Sequence, residues 1–284
     1  MLDAQLMKTV VAAALAEDAP TGDITSTLVI PTDAQATAVL AAREPGVFAG
    51  ADVFAAAFTL TDPNVSVELL KHDGDAFAAG DELARVSGPA RAVLTGERVG
   101  LNFAQRMSGI ATLTRAYVDA VSGTGATILD TRKTTPTLRA FERHAVVCGG
   151  GTNHRFSLSD AFMAKDNHLA VLTEGGLDVT TALRQVKAQL PAGMVFEVEV
   201  DRIDQIEPVL AGGVDVIMLD NFTLDELRAG VALVAGRAKI EASGGVNLDT
   251  VADIASTGVD FISVGALTHS ARALDLGLDV TIDA

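Results

Sequence analysis

Hydrophobic and polar positions along the chain follow two rhythms, and the change falls near residue 105. Before it, short apolar runs at Ala36–Arg43, Val65–Leu70 and Glu82–Val86 are separated by EPGVFAG, TDPN and HDGDAFAAGDE. Gly, Pro and Asp clusters of that kind mark turns, so these runs predict strands. A helical spacing of apolar residues over Ala90–Met107 leads out of this region. The opening segment, MLDAQLMKTVVAAALAEDAP, reads as an amphipathic helix.

After residue 105 short apolar runs recur at Ala126–Leu129, Ala161–Ala164, Val195–Val200, Val214–Leu219, Lys239–Ala242 and Asp260–Val264. Helical patterns separate the later ones, at Asp178–Leu190, Leu224–Ala235 and Leu248–Thr257. Near-continuous apolar strands alternating with helices predict a parallel sheet covered by helices. Each run ends in polar groups: Asp130-Thr131-Arg132-Lys133, Lys165-Asp166-Asn167-His168, Glu199 with Asp201, Asp220-Asn221, Ser243-Gly244-Gly245, and Gly265 with His269. Functional groups at every strand's carboxyl end favour a barrel over an open doubly wound sheet, which gathers ligands at one switch point. The repeat region falls short of the roughly 250 residues of a full eight-unit barrel. The expected fold is therefore α/β: a reduced or partly open α/β barrel over 106–271, with an N-terminal α/β domain over 1–105.

Charge sharpens this picture. The chain holds 37 acidic against 21 basic residues. Between Glu97 and Lys165, however, nine cations (Arg98, Arg106, Arg115, Arg132, Lys133, Arg139, Arg143, Arg155, Lys165) face five acids (Glu97, Asp119, Asp130, Glu142, Asp160). A positive field inside an anionic body suits a site that gathers a small, highly charged anion. A net charge of −16, no Trp and one Tyr argue against nucleic acid. No apolar run approaches the roughly 18–20 residues that span a bilayer, and the first residues lack the cations of a signal peptide. A cytoplasmic protein is expected. The lone Cys148 excludes an intramolecular disulfide and reads as buried filler.

Ser243-Gly244-Gly245 and Val264-Gly265-Ala266, at the last two strand ends, fit loops that offer backbone N–H groups to phosphate. Glu199, Asp201 and Asp220 are acids at adjacent strand ends, with magnesium ligation or charge stabilisation as the functional reading and solvated or salt-bridged acids as the plain one. Arg132, Lys133, His154, Arg155 and Lys165 form a cationic set, the arginines offering planar forks for carboxylates. Arg139 and Arg143 lie four apart on a helix predicted to begin near Pro136, facing the site or simply solvent. No G-x-S-x-G elbow, Walker loop or G-x-G-x-x-G follows a strand. Such a set runs a reaction by positioning and charge stabilisation.

At this point the chain resembles the quinolinate phosphoribosyltransferases over nearly its whole length. The resemblance lies in EDAPTGDITS (Glu17–Ser26), GERVGLNFAQRMSGIAT (Gly96–Thr112), DTRKTTP (Asp130–Pro136), GGGTNHR (Gly149–Arg155), KDNH (Lys165–His168), EVEVD (Glu197–Asp201), LDNF (Leu219–Phe222), SGGV (Ser243–Val246) and VGALTHS (Val264–Ser270). It implies a glycosyltransferase that joins quinolinate to phosphoribosyl pyrophosphate, releasing pyrophosphate and carbon dioxide. It implies an N-terminal α/β sandwich joined by the C-terminal tail 272–284. It implies that Arg132, His154, Arg155 and Lys165 hold the quinolinate carboxylates, with Arg98 donated across a homodimer, alone or within a higher assembly of dimers. Lys133, Glu199, Asp220, Ser243, Gly244, Gly245, Gly265 and His269 would face phosphoribosyl pyrophosphate. Lys133, Glu199 and Asp220 would be catalytic, and Glu199 and Asp220 would reach Mg2+ directly or through water. Three departures stand out: Thr137 where glycine is usual, Arg143-His144 for a Lys-Tyr pair, and Met163-Ala164 for bulkier aliphatics.

Three alternatives remain at this stage. A phosphoribosyltransferase for another acid such as nicotinate is disfavoured by Lys165 and the His154-Arg155 pair, which suit two carboxylates. Molybdenum-transport-associated relatives are expected to depart at KDNH, intact here. A non-catalytic anion-binding protein would be expected to lose the strand-end acids, and Glu199 and Asp220 are both present.

Overall fold

The computed structural model describes residues 2–283. Met1, the start of the predicted first helix segment, and Ala284, the last residue of the tail, lie outside the described residues. In chain order the elements begin with α1 (Ala4–Asp18), α2 (Ile24–Val29), β1 (Gln35–Ala42), β2 (Gly46–Val47), α3 (Ala51–Thr59), β3 (Ser66–Leu69), β4 (Ala76–Phe77), β5 (Glu82–Pro89) and α4 (Ala90–Ala120). There follow β6 (Thr127–Leu129), α5 (Arg139–Cys148), β7 (Phe162–Ala164), α6 (Asp166–Thr173), α7 (Val179–Lys187), β8 (Phe196–Val200) and α8 (Ile206–Ala211). The rest are β9 (Val216–Asp220), α9 (Leu224–Val234), β10 (Lys239–Ser243), α10 (Val251–Ala255), β11 (Phe261–Ser263), α11 (Ala266–His269) and β12 (Leu276–Asp283). Among the described residues no helix is long and apolar enough to cross a membrane.

Two compact units result. One takes the residues up to Arg115, Thr135–Gly150 and the tail from Ser270; the other takes Ala116–Thr134 and Gly151–His269. The predicted break at 105/106 thus falls inside α4. Apolar residues Met107, Ile110, Ala111 and Tyr117 carry the buried stripe of this helix well past Met107. Gly109, a residue that weakens helices, is a packing residue here: a Cβ would lie 1.9 Å from the Arg272 carbonyl oxygen. The segment around α5 belongs with α4 because Glu142, 1% exposed, accepts from Arg106 Nη2 at 2.8 Å. The same carboxylate accepts from the Thr135 hydroxyl at 2.8 Å and the Thr135 N–H at 3.0 Å. A buried acid so satisfied fixes its partners, because losing any of them would strand a charge.

The first unit is built on an antiparallel sheet ordered β12-β1-β5-β3. β1 alternates exposed Gln35 and Thr37 with buried Ala36, Ala38 and Leu40, the period of a half-covered strand. The tail closes this sheet: β12 pairs with β1 residue for residue, from Ala42 opposite Leu276 to Gln35 opposite Asp283. Gln105 of α4 holds the tail's approach, its side chain donating to Leu276 O at 2.8 Å and its carbonyl accepting from Leu274 N at 3.0 Å. α1 buries only Val11, so the amphipathic face expected of it is small. The sequence reading assigned no element to α2, α3, β2 or β4, which are short or lack a clear period, nor to β12, although its LGLDVTID alternates apolar and polar residues.

In the second unit all six predicted strands form one parallel sheet ordered β6-β11-β10-β9-β8-β7. β6 and β7 do not pair with each other, so the barrel is partly open. One face of the strands is apolar and buried, with Ile128, Phe196, Val198, Ile217, Leu219, Ile240, Ala242 and Ile262 all at 3% exposure or less. The other face carries the residues in between, where chemistry resides. Asp178 and Thr223 cap α7 and α9 by accepting from Thr181 N and Glu226 N, which is why both helices start where predicted. α10 is shorter than the predicted Leu248–Thr257, because Asn247 accepts from Asp249 N and Thr250 N and holds the start as a turn.

Thr137 stands at φ 70°, in the left-handed region. A β-branched residue there is strained, by roughly 1–2 kcal/mol. Thr137→Gly is expected to raise stability by about 1 kcal/mol, after glycine's larger unfolded-state entropy is subtracted. Urea unfolding at equal m-value checks this; unchanged or lower stability would show that the turn holds no strain.

Candidate active site

Strand parity builds the site. Each parallel strand has one apolar face, and residues two apart share the opposite one. That face therefore brings together Met163 and Lys165, Glu197 and Glu199, Met218 and Asp220, Glu241 and Ser243, and Ser263 with Gly265. The register agrees: Met163 pairs with Glu197, Glu199 with Met218, Met218 with Glu241, and Asp220 with Ser243. A cavity of about 350 Å3 opens on it, lined by Met163, Lys165, Met218, Glu241, Ser243 and Ser263 from the strands, by Asp130–Lys133 after β6, and by His154 and Arg155 before β7.

The cations of this cavity are crowded. Burial and then the neighbouring charge of Arg132 push the Arg155 guanidinium below its ordinary pKa, against the opposing pull of Glu197 and Asp160. Arg155 Nη1 donates to Ala161 O and its Nη2 to Met163 Sδ, both at 3.3 Å. Arg132 Nε is buried without a hydrogen-bond partner. A buried donor left unpaired costs about 1–3 kcal/mol, so the place is prepared for an acceptor supplied by a ligand. Lys165, the residue capping the start of α6, forms an ion pair with Glu199. Lys133 lies by the last strand end: a Cβ on Gly265 would stand 3.1 Å from both Lys133 Cδ and His269 Nε2. The Thr268 hydroxyl fixes the Lys133 backbone, donating to its carbonyl at 2.7 Å.

Asp220 accepts from the Asn221 side-chain amide at 2.7 Å. Gly244 holds φ 93°, and a Cβ there would come 2.2 Å from Asn221 Oδ1, so the Ser243–Gly245 loop can be only glycine at this point. Its backbone thereby stays open for close approach by a phosphate. Asp201 is exposed and pairs with Arg202 at 3.5 Å, the plain reading of that acid.

The nine cations of the basic window divide between the two units. Arg132, Lys133, Arg155 and Lys165 line the barrel cavity. Arg98, Arg106, Arg115, Arg139 and Arg143 belong to the first unit. Arg98 is exposed on α4, Arg106 is spent on Glu142, and Arg115 donates to Gly149 O at 3.0 Å. Arg143 is buried in α5. His144, beside it, pairs with Asp73 at 2.5 Å, and burial pushes the Cys148 thiol up to about 12, so this cysteine is inert filler.

Sequence reasoning passed over three buried acids. Asp130 is fully buried and accepts from His154 N at 2.8 Å. Glu197 and Glu241, 2% and 1% exposed, each place an oxygen 3.3 Å from His154 Nε2. Strand parity could have found the latter two, because they share a face with Glu199 and Ser243. His154 lines the cavity, yet its Nε2 faces those acids and its Nδ1 accepts from Arg155 N at 2.7 Å.

Cations gathered over strand-end acids on an open parallel barrel suit an enzyme for small polyanions, and fold and site assign the chain to that class. Comparison with known proteins narrows it. The family model for the C-terminal domain of quinolinate phosphoribosyl transferase matches residues 110–279, and the model for its N-terminal domain matches residues 23–108. A probable nicotinate-nucleotide pyrophosphorylase [carboxylating] of Bacillus subtilis (strain 168) is 42% identical over 266 residues, covering 94% of this chain and 90% of the relative. The nicotinate-nucleotide pyrophosphorylase [carboxylating] of Mycobacterium leprae (strain TN) is 44% identical over 276 residues, covering 94% of each. The crystal structure of NadC from Streptococcus pyogenes superposes with a TM-score of 0.94 at 41% identity, over 100% of this chain and 99% of that one. The chain belongs to the quinolinate phosphoribosyltransferase family.

Asp130→Ala would leave the His154 N–H without its buried acceptor, and the expected loss of stability is about 2–3 kcal/mol. Equilibrium denaturation measures it; a loss under about 0.5 kcal/mol would mean that water replaces the carboxylate.

Proposed function

We propose that the chain transfers the phosphoribosyl group of phosphoribosyl pyrophosphate to quinolinate in de novo NAD biosynthesis. The products are nicotinate mononucleotide, pyrophosphate and carbon dioxide. The observation that carries the choice of acceptor is the pair of guanidinium groups held in one cavity, with Arg132 Nε buried and unpartnered and Lys165 at the adjoining strand end. A monocarboxylate would leave part of this charge uncompensated; a vicinal dicarboxylate does not.

In the reaction the pyridine nitrogen forms a bond to C1′ of the ribose, and the C1′–O bond breaks with its electron pair leaving on pyrophosphate. Loss of the ring carboxylate as carbon dioxide leaves an electron pair on carbon, which takes a proton from solvent. Arg132, Arg155 and Lys165 hold the acceptor's carboxylates with His154 beside them. Lys133 meets the leaving pyrophosphate, while the Ser243–Gly245 loop, Gly265 and His269 face the phosphates. Glu199 and Asp220 oppose the positive charge that develops at C1′ as pyrophosphate departs. Neither acid caps a helix, and two carboxylates at neighbouring strand ends suit a hard cation that arrives on its substrate. Mg2+ bound there, directly or through water, would neutralise the leaving group's charge.

The same reading makes the chain a cytoplasmic homodimer, or a higher assembly of dimers, in which exposed Arg98 reaches the acceptor site of the partner. The free cysteine of the described chain is in keeping with a reducing compartment.

Pyrophosphate release with phosphoribosyl pyrophosphate and Mg2+ tests the assignment, quinolinate being compared with nicotinate. Turnover with quinolinate alone, with carbon dioxide, is expected; turnover with nicotinate overturns the acceptor, and silence with both brings back a binding protein. Lys133→Ala should abolish turnover with the fold intact by circular dichroism, and near-normal turnover would remove Lys133 from the machinery. Mixing inactive Arg98→Ala and Lys133→Ala chains should restore about a quarter of wild-type activity, because half the dimers then carry one complete site. No recovery after verified exchange would rule out donation across the interface.

A further inference from the structure

Beneath the cations of the cavity lie two carboxylates that the reaction just described does not use. Glu197 on β8 and Glu241 on β10 are among the least exposed charged groups described, at 2% and 1%. Burying acids under a dianion's binding site is unfavourable twice, through their own desolvation and through repulsion of the ligand. Some compensating task must keep them there, and the geometry identifies it.

Both acids turn an oxygen to His154 Nε2, at 3.3 Å each. The Ser263 hydroxyl donates to the other oxygen of Glu241. Across the ring, the Arg155 N–H points at His154 Nδ1 over 2.7 Å. A nitrogen that receives an N–H presents a lone pair, so the ring proton sits on Nε2, between the two acids. Burial alone lowers the imidazole's affinity for a second proton, and the paired carboxylates more than offset that, pulling its pKa up to about 10. The Arg155 N–H opposes that proton directly, because it would meet hydrogen with hydrogen. The same geometry excludes a metal ion bridging His154, Glu197 and Glu241, although their ligand atoms lie within 4.8 Å of one another. Ligation through Nε2 would put the ring proton on Nδ1, against the Arg155 N–H.

We propose that Glu197 and Glu241 are positioning residues: they fix His154 as the Nε2–H tautomer, whose Nδ1 anchors the Arg155 backbone and so aims the Arg155 guanidinium at the dicarboxylate. The far end of Arg155 is set independently by Ala161 O and Met163 Sδ. Arg155 is thus held at its backbone by His154 and at its tip by Ala161, just before β7, and Met163 within it. The charge of Glu197 also acts on Arg155 directly, offsetting part of the repulsion from Arg132. This inference rests on the assignment of Arg155 to the acceptor's carboxylates.

Two measurements on the full chain test it. Nitrogen-15 NMR of the histidine side chains, with His154 assigned by its disappearance in His154→Gln, should show Nε2 protonated and Nδ1 bare near neutral pH. An imidazolium, or a proton on Nδ1, would falsify the clamp whatever the enzyme's acceptor proves to be. The double variant Glu197→Gln/Glu241→Gln offers amide donors to Nε2 and permits the other tautomer. Its KM for quinolinate should rise at least about tenfold, with kcat and the KM for phosphoribosyl pyrophosphate within about twofold of wild type. An unchanged quinolinate KM, or a parallel loss in all three constants, overturns the positioning role. If the double variant does not fold, Glu241→Gln alone, read by the same KM ratio, decides. Should the wild type fail to use quinolinate at all, the functional assignment falls while the tautomer measurement still judges the clamp.

Discussion

Holding Arg132 and Arg155 in one cavity sets two guanidinium charges against each other before any ligand arrives. The barrel's inner face is arranged around that repulsion. Burial and the charge of Arg132 together lower the Arg155 pKa, which is the cost of that crowding. The fold meets this with acids placed one strand layer below the cations: Asp130 under the backbone of His154, and Glu197 and Glu241 around its ring. These groups are too buried to meet a ligand as free anions, yet near enough to temper the field. Lys165 and Glu199 repeat the device at the strand ends, where the two pair with each other.

Much of this architecture was legible in the sequence. The six parallel strands appeared where apolar runs predicted them, because a strand covered by helices on one face leaves an unmistakable apolar record. The polar groups closing each run marked the functional end of the barrel. Legibility failed where local pattern carries no information about distant partners. Nothing in the residues of α4 says that Gly109 faces a carbonyl of Arg272, so the helix was ended too early. Nothing in the basic window separates Arg106, spent on buried Glu142, from Arg132, which lines the cavity. Glu197 and Glu241 were missed for another reason: they sit inside apolar runs, where an acid reads as noise unless strand parity is applied.

The departures from family pattern divide by consequence. Thr137 takes a left-handed backbone that glycine would adopt without strain, so the substitution is borne locally in the turn. His144, in place of the usual aromatic, finds Asp73, whose other oxygen accepts from Gly50 N and Ala51 N at the start of α3. That pair is a polar tie within the first unit. Met163 supplies the sulfur that Arg155 Nη2 reaches, so its flexible side chain in the cavity wall serves a charged neighbour.

The pairing of β12 along β1 also dictates an order of events in time. Ala42 meets Leu276, more than two hundred residues downstream, and every rung of that ladder has a similar span. At about 5–20 residues per second on the ribosome, β1 would wait roughly 10–50 seconds for its outer partner to be made. During that interval its backbone groups on one side form an unpaired strand edge, the kind that templates association between chains. Trimming the last few residues should therefore be felt first along β1, more than two hundred positions earlier in the chain.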